Sequence, residues 1–167
     1  MPSPSSSSSS ESDDEVDASA VVREERVHGY RLDFSCVLGK GGFGIVRKAV
    51  CEHSGSVVAI KSGRKGQESL DDHECRIVQD LNHVNVCVAR DSFFAASRLH
   101  IVFDYCAGGD LFDYLATTSA RLSDSCVMDA CRQVLAAVSY LHGRSLVHCD
   151  VKTENILCWR ARGLWRA

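Results

Sequence analysis

Three glycines, and the residues that follow them, constrain the fold of this chain more than any other feature. Gly39-Lys40-Gly41-Gly42-Phe43-Gly44-Ile45-Val46 satisfies G-x-G-x-x-G-x-V, and glycine at those positions lets backbone N–H groups approach phosphate oxygens with no Cβ in the way. A dinucleotide-binding unit requires a helix after the third glycine, whereas Ile45-Val46-Arg47-Lys48-Ala49-Val50 is rich in β-branched residues and reads as a strand. A Walker-type loop requires lysine where Ile45 stands. The remaining reading is a β-hairpin laid over phosphates.

Downstream, Val58-Ala59-Ile60-Lys61 follows the turn-like Glu52-His53-Ser54-Gly55-Ser56, so a third antiparallel strand can bring Lys61 back beside the hairpin. The spacing of Leu70, Ile77, Val78 and Leu81 predicts a helix over 69–81, with Glu74 on its apolar face. A carboxylate there is expensive unless paired, and Lys61 is the natural partner; the competing reading is that Glu74 only borders the stripe and is solvated. From Ser123 to His142, Val127, Ala130, Cys131, Val134, Leu135, Val138 and Leu141 repeat at helical spacing, with Ser123 as N-cap and Gly143 as the stop. Further on, His148-Cys149-Asp150-Val151-Lys152-Thr153-Glu154-Asn155 sets a carboxylate and an amide five positions apart. Taken alone, this last pattern fits many solvated loops.

Together and in this order, the glycine loop, strand lysine, helix glutamate and Asp150-to-Asn155 loop resemble the eukaryotic protein kinase family over about Tyr30 to Cys158. The resemblance implies an α+β protein-kinase-like fold, with a complete small lobe and the first helices and catalytic loop of the large one. It implies ATP and Mg²⁺ as cofactors and a protein bearing a Ser/Thr acceptor as substrate. Carried over residue by residue, Gly39, Gly41 and Gly44 cover the phosphates, Lys61 holds them and Glu74 orients Lys61. Leu38, Val46, Ala59 and Leu157 sandwich the adenine, the backbone of Asp104 and Cys106 bonds it, and Phe103 is the gatekeeper. Asp110 meets the ribose, although Gly108-Gly109-Asp110 by itself reads as a loop and helix N-cap. Asp150 acts on the acceptor hydroxyl, Lys152 steadies the γ-phosphate and Asn155 binds metal. Lys152 resembles the serine/threonine class, and the general run of motifs the calcium/calmodulin-dependent and AMP-activated group.

Departures from the family pattern are as informative. Cys149 replaces the arginine that usually follows the histidine, which puts control through activation-loop phosphorylation in doubt. After Cys158 come Trp159-Arg160-Ala161-Arg162-Gly163-Leu164-Trp165-Arg166-Ala167, with no D-F-G to supply the principal Mg²⁺ ligand. Translation into an intron or a truncated gene model would give such an ending. Three segments are expected: a disordered acidic, Ser-rich tail over 1–26, a partial kinase domain over 27–158 divided at 103/104, and a non-family tail over 159–167.

The 167 residues, 45% apolar, suffice for one core, and the net charge of −3 selects no partner. No apolar run approaches a membrane span, no secretory leader is evident, and no nucleic-acid patch is present, so a cytoplasmic or nuclear location is expected. The nine cysteines contain no C-x-x-C pair and read mainly as small core residues; at Cys106 and Cys149 an accessible thiol is the alternative to the favoured structural reading. Ser9, Ser10 and Ser12 precede acidic residues and are candidate phosphosites. The expected function is ATP-dependent phosphorylation of protein serine or threonine. The alternative is a catalytically dead nucleotide-binding or regulatory fragment that acts through the uncovered helix over 123–142.

Overall fold

A computed structural model describes residues 24–42, 44–64, 75–117, 123–159 and 164–166. Six strands form one antiparallel sheet: β1 (Glu24–Val27), β2 (Tyr30–Gly41), β3 (Gly44–Cys51), β4 (Val57–Ser62), β5 (Ala89–Ala95) and β6 (Arg98–Asp104), in the order β1-β2-β3-β4-β6-β5. The expected hairpin is β2–β3, with Gly41 opposite Gly44, and the expected lysine strand is β4.

Strand β1 corrects the expected boundary of the N-terminal tail, since pairing with β2 carries ordered backbone back to Glu24. Its turn is a two-residue loop in which His28 (φ 52°) and Gly29 (φ 80°) both adopt positive φ, as a tight hairpin with right-handed strand twist requires. Ala96 (φ 49°) and Ser97 (φ 58°) make the same kind of turn between β5 and β6.

Residues alternate across the sheet and so divide its labour. Ile60, whose cross-strand neighbours are Arg47 and Val102, points with Leu32, Ala49, Val58 and Phe93 into one buried cluster. Lys61, opposite Val46 and Ile101, lies on the other face together with Ala59 and Phe103. Helix α1 (75–80) covers part of that second face, where Cys75 packs with Leu99 and Ile101.

Two further helices are present, α2 (Leu111–Thr117) and α3 (Asp124–His142). Leu81 and Val86, just after α1, pack on Ala137 and Leu141 of α3, and the Tyr140 hydroxyl accepts from the Asn82 backbone N–H at 2.7 Å. The sheet and the long helix are thereby joined. Ser123 caps α3 as expected, its hydroxyl accepting from the Cys126 N–H at 3.3 Å. The stop differs in detail: Gly143 stays right-handed (φ −63°), and Ser145 (φ 59°) takes the left-handed position two residues later. Strands β7 (Leu157–Trp159) and β8 (Leu164–Arg166) form a small separate hairpin, with β8 against α3.

Candidate active site

The glycine loop owes its shape to one close approach. Gly44 has φ 128°, and a Cβ there would stand 2.2 Å from the carbonyl oxygen of Ser62 at the end of β4. Only glycine lets the two strands meet, which holds the hairpin above Lys61. Gly39 and Gly41 differ: a Cβ at either would meet nothing within 4 Å. Those two positions leave open space at the loop's edge. Leu38 is the extra residue of a β-bulge between Val37 and Gly39 and is exposed.

Beneath the loop, strand register places Val46, Ala59, Lys61 and Phe103 on a single face. Glu74 lies outside the described residues. Its neighbour Cys75 is buried against Ile101, the cross-strand neighbour of Lys61.

The segment after β6 is fixed by contacts that the motifs did not reveal. Arg90 donates from Nε (2.9 Å) and Nη2 (2.7 Å) to the two carboxylate oxygens of Asp104, a bidentate pair that orients this segment's first residue. A bulge between Ala89 and Asp91 sets the β5–β6 register there, and spacing alone could not have announced it. Cys106 is buried, in keeping with the core reading of the cysteines; its carbonyl accepts from the Gly109 N–H at 3.1 Å. Gly108 donates to the Cys158 carbonyl at 3.0 Å and Cys158 to the Gly109 carbonyl at 2.8 Å, so Asp110 lies beside Leu157. Asp110 also caps α2, its Oδ1 accepting from the Asp113 N–H at 2.7 Å.

The Asp150 loop closes on itself. Lys152 Nζ lies 3.0 Å from Asp150 Oδ2, and Asn155 Nδ2 donates to that same oxygen and to the Asp150 carbonyl, both at 2.8 Å. The Lys152 contact, then the Asn155 amide, hold the Asp150 carboxyl below the usual carboxylate range, and Asp150 in turn raises Lys152. A turn of 3₁₀-helix over Thr153–Asn155 brings the amide round. Ile156, buried with Ala130 and Cys158, anchors the loop to α3. Cys149 is exposed and strained at φ 63°, and the Asp150 N–H donates to His148 Nδ1 at 3.3 Å. Asp150, Lys152 and Asn155 thus form one cluster about Asp150 Oδ2.

Comparison with known proteins agrees with this geometry. A family model described as "Protein kinase domain" matches residues 32–164. The chain is 38% identical over 146 residues to human NUAK family SNF1-like kinase 2, covering 83% of this chain and 23% of that protein. It is 37% identical over 127 residues to calcium/calmodulin-dependent protein kinase cmkA of Emericella nidulans, covering 74% and 30%. Among solved structures, Rad53 1–466 in complex with AMP-PNP superposes with a TM-score of 0.73 at 27% identity, covering 83% of this chain and 37% of that one. The chain spans about a quarter of the length of these NUAK relatives.

Proposed function

This chain belongs to the protein kinase family, and from that membership we propose that it supplies the nucleotide site and catalytic loop of a kinase that phosphorylates protein serine or threonine. The observation that carries the reading is the Asp150–Lys152–Asn155 cluster. Asp150 has one carboxylate oxygen engaged by a cation and an amide, and the other would meet the acceptor hydroxyl. Its lowered pKa makes it a weak base, suited to aligning an acceptor hydroxyl and taking its proton late, as the oxygen–phosphorus bond forms.

The residues present fit ATP. Gly39 and Gly41 leave room where a Cβ would otherwise project, so their N–H groups can meet phosphate oxygens. Lys61 is positioned on the face below to hold the α- and β-phosphates, with Glu74 as its orienting partner. Leu38, Val46, Ala59 and Leu157 are the apolar residues that would sandwich adenine, with Val46 and Ala59 on the Lys61 face of the sheet. Asp104 and Cys106 offer backbone groups at its edge, and Asp110 stands beside Leu157 to meet the ribose. Lys152 can release Asp150 to steady the transferred phosphate.

Magnesium fits as well: Asn155 spends its Nδ2 on Asp150, which leaves Oδ1, an oxygen donor of the kind Mg²⁺ prefers. Among the described residues there is no group of three His, Cys, Asp or Glu side chains that could hold a metal, so Asn155 would be this chain's contribution to holding the ion. When bound, the ion neutralises charge on the β- and γ-phosphates.

The test has two arms. Lys61→Met should weaken ATP-analogue binding to this chain by about tenfold or more, the loss of one charge-assisted contact, while Asp150→Asn should leave it unchanged. In the longer protein that contains the chain, Asp150→Asn should lower transfer by on the order of a hundredfold or more. Retained turnover would remove Asp150 from its role. Equal nucleotide affinity in Lys61→Met would remove the hairpin from its own. A second reading, a regulatory fragment that binds a partner, rests on α3, where Met128 and Leu135 are 64% and 68% exposed. It gains ground if the endogenous product ends at 18.3 kDa and transfers no phosphate.

A further inference from the structure

The sheet has a second concavity, on the face opposite Lys61 and α1. Alternation puts Arg47, Ser62 and His100 on the same side as Ile60 and Val102. There, at the open end of that core, lies a cavity of about 580 Å³, within the size range of sites for small ligands. Two arginines, Arg47 and Arg98, line it together with one carboxylate, Glu25; Arg26 also borders it, but its Nε lies 3.1 Å from Glu52 Oε1. The opposite side of the sheet already accounts for the nucleotide, and nothing in the proposed phosphoryl transfer uses these arginines.

Arg47 is the informative one. Its Nε is fully buried and has no hydrogen-bond acceptor among the described residues. Its guanidinium lies 4.6 Å above the Phe34 ring, which stabilises the charge but gives the N–H no acceptor. A guanidinium cannot shed its proton to escape this, and a buried donor left unpaired is unfavourable. His100 does not fill the gap. Its Nε2 lies 3.3 Å from the Ala95 carbonyl and its Nδ1 3.0 Å from the Ser62 hydroxyl. The carbonyl can only accept, so Nε2 bears the proton and Ser62 donates to Nδ1. The ring is neutral and fully occupied, and Ser62 has no proton to spare. Charge recognition in the cavity therefore falls to the arginines.

We infer that this cavity binds a phosphate monoester, with the guanidinium groups of Arg47 and Arg98 donating to its oxygens. Planar guanidinium forks match phosphate oxygens better than a single ammonium does. One source is on the same chain: Ser12 stands thirteen positions before Glu25, and an extended chain covers up to about 3.3–3.6 Å per residue. A phosphoserine there could reach the cavity's mouth. The other source is a free phosphorylated small molecule.

Isothermal titration of the full chain with O-phosphoserine, and with a peptide copying residues 6–17 phosphorylated at Ser12, tests the proposal. Binding should persist in Lys61→Met and weaken about tenfold or more in Arg47→Met, which keeps the aliphatic stem and loses the donor. If Arg47→Met fails to fold, Arg98→Gln at the β5–β6 turn should weaken binding several-fold with an unchanged melting temperature. Much tighter binding of the peptide supports the phosphoserine source, and equal affinity the small-molecule source; the unphosphorylated peptide should not bind. Binding lost in Lys61→Met would place the phosphate at the glycine loop and overturn the inference. So would wild-type affinity in both arginine variants, or no binding of either probe.

Discussion

Gly44→Ala and Gly41→Ala should separate fold from ligand binding within a single loop. At Gly44 the added methyl meets a backbone oxygen at 2.2 Å, closer than real Cβ contacts occur, and φ 128° is a conformation that alanine rarely adopts. The strained backbone costs roughly 1–3 kcal/mol. Moving Gly44 away from Ser62 also opens the ladder at Ile45↔Ser62, and losing one or two hydrogen bonds there adds about 1–2 kcal/mol. The sum, about 2–5 kcal/mol, predicts a melting temperature lower by about 4–20 °C for a domain of this size. At Gly41 no atom lies within 4 Å of the new methyl, and stability should stay within about 1 kcal/mol of wild type. Its nucleotide affinity should nevertheless fall, because the methyl occupies space that phosphate would use. Thermal and urea melts, paired with titration of an ATP analogue, measure both effects. Equal melting temperatures for the two variants would refute the claim that the Gly44–Ser62 approach shapes the loop.

The polar and packing contacts give three further expectations. Gly108→Ala would put a methyl 2.5 Å from the Cys158 carbonyl and 2.6 Å from its Cβ; it should separate Asp110 from Leu157 and weaken nucleotide binding, which the same titration detects. Burial lowers the pKa of His100 from its ordinary 6.5, so the unfolded chain binds the more protons and stability is lost as pH falls below about 6.5, by at most about 1.4 kcal/mol per pH unit. The melting temperature of His100→Gln should therefore fall less than that of wild type between pH 7.5 and 5.5, and parallel slopes would contradict the assignment. Asn155→Ala should raise the Asp150 pKa toward its ordinary 3.8, as followed by carboxyl carbon NMR; any stability that the lowered pKa confers is present above that value and lost as pH falls through the folded one.

What the sequence disclosed was whatever a short window encodes. Lys61 opposite Val46 follows from two β-branched runs and a turn, and the Asp150–Asn155 contact follows from their spacing. Strand β1 carries a local mark: His28-Gly29 between Val27 and Tyr30 is a two-residue turn with glycine at its second position. The matching turn at Ala96-Ser97 carries no such mark, because both residues take positive φ against their own preference. The Arg90–Asp104 clamp depends on a bulge that only the paired strand defines. The Arg47 cavity requires β1, β3 and the β5–β6 turn to converge, and no window contains them all.

The two halves of the site are held by different forces, and each therefore fails in its own way. The nucleotide half rests on strand register and on Ile60 and Val102, both fully buried, so damage there unfolds as well as disarms. The Asp150 half is polar and exposed, anchored among the described residues by Ile156 against α3; substitutions in it should change chemistry with little effect on folding. The weak link is α3 itself. Ala130, Ala137 and Leu141 face inward, while Met128 and Leu135, one heptad apart, remain exposed on another face. A helix apolar on more than one side is stable only when covered. Burying those two side chains would contribute about 1.5–3 kcal/mol each, comparable to the whole margin of a small domain. The Asp150 loop is anchored to this helix through Ile156, so any contact that stabilises α3 would also steady the Asp150 carboxylate.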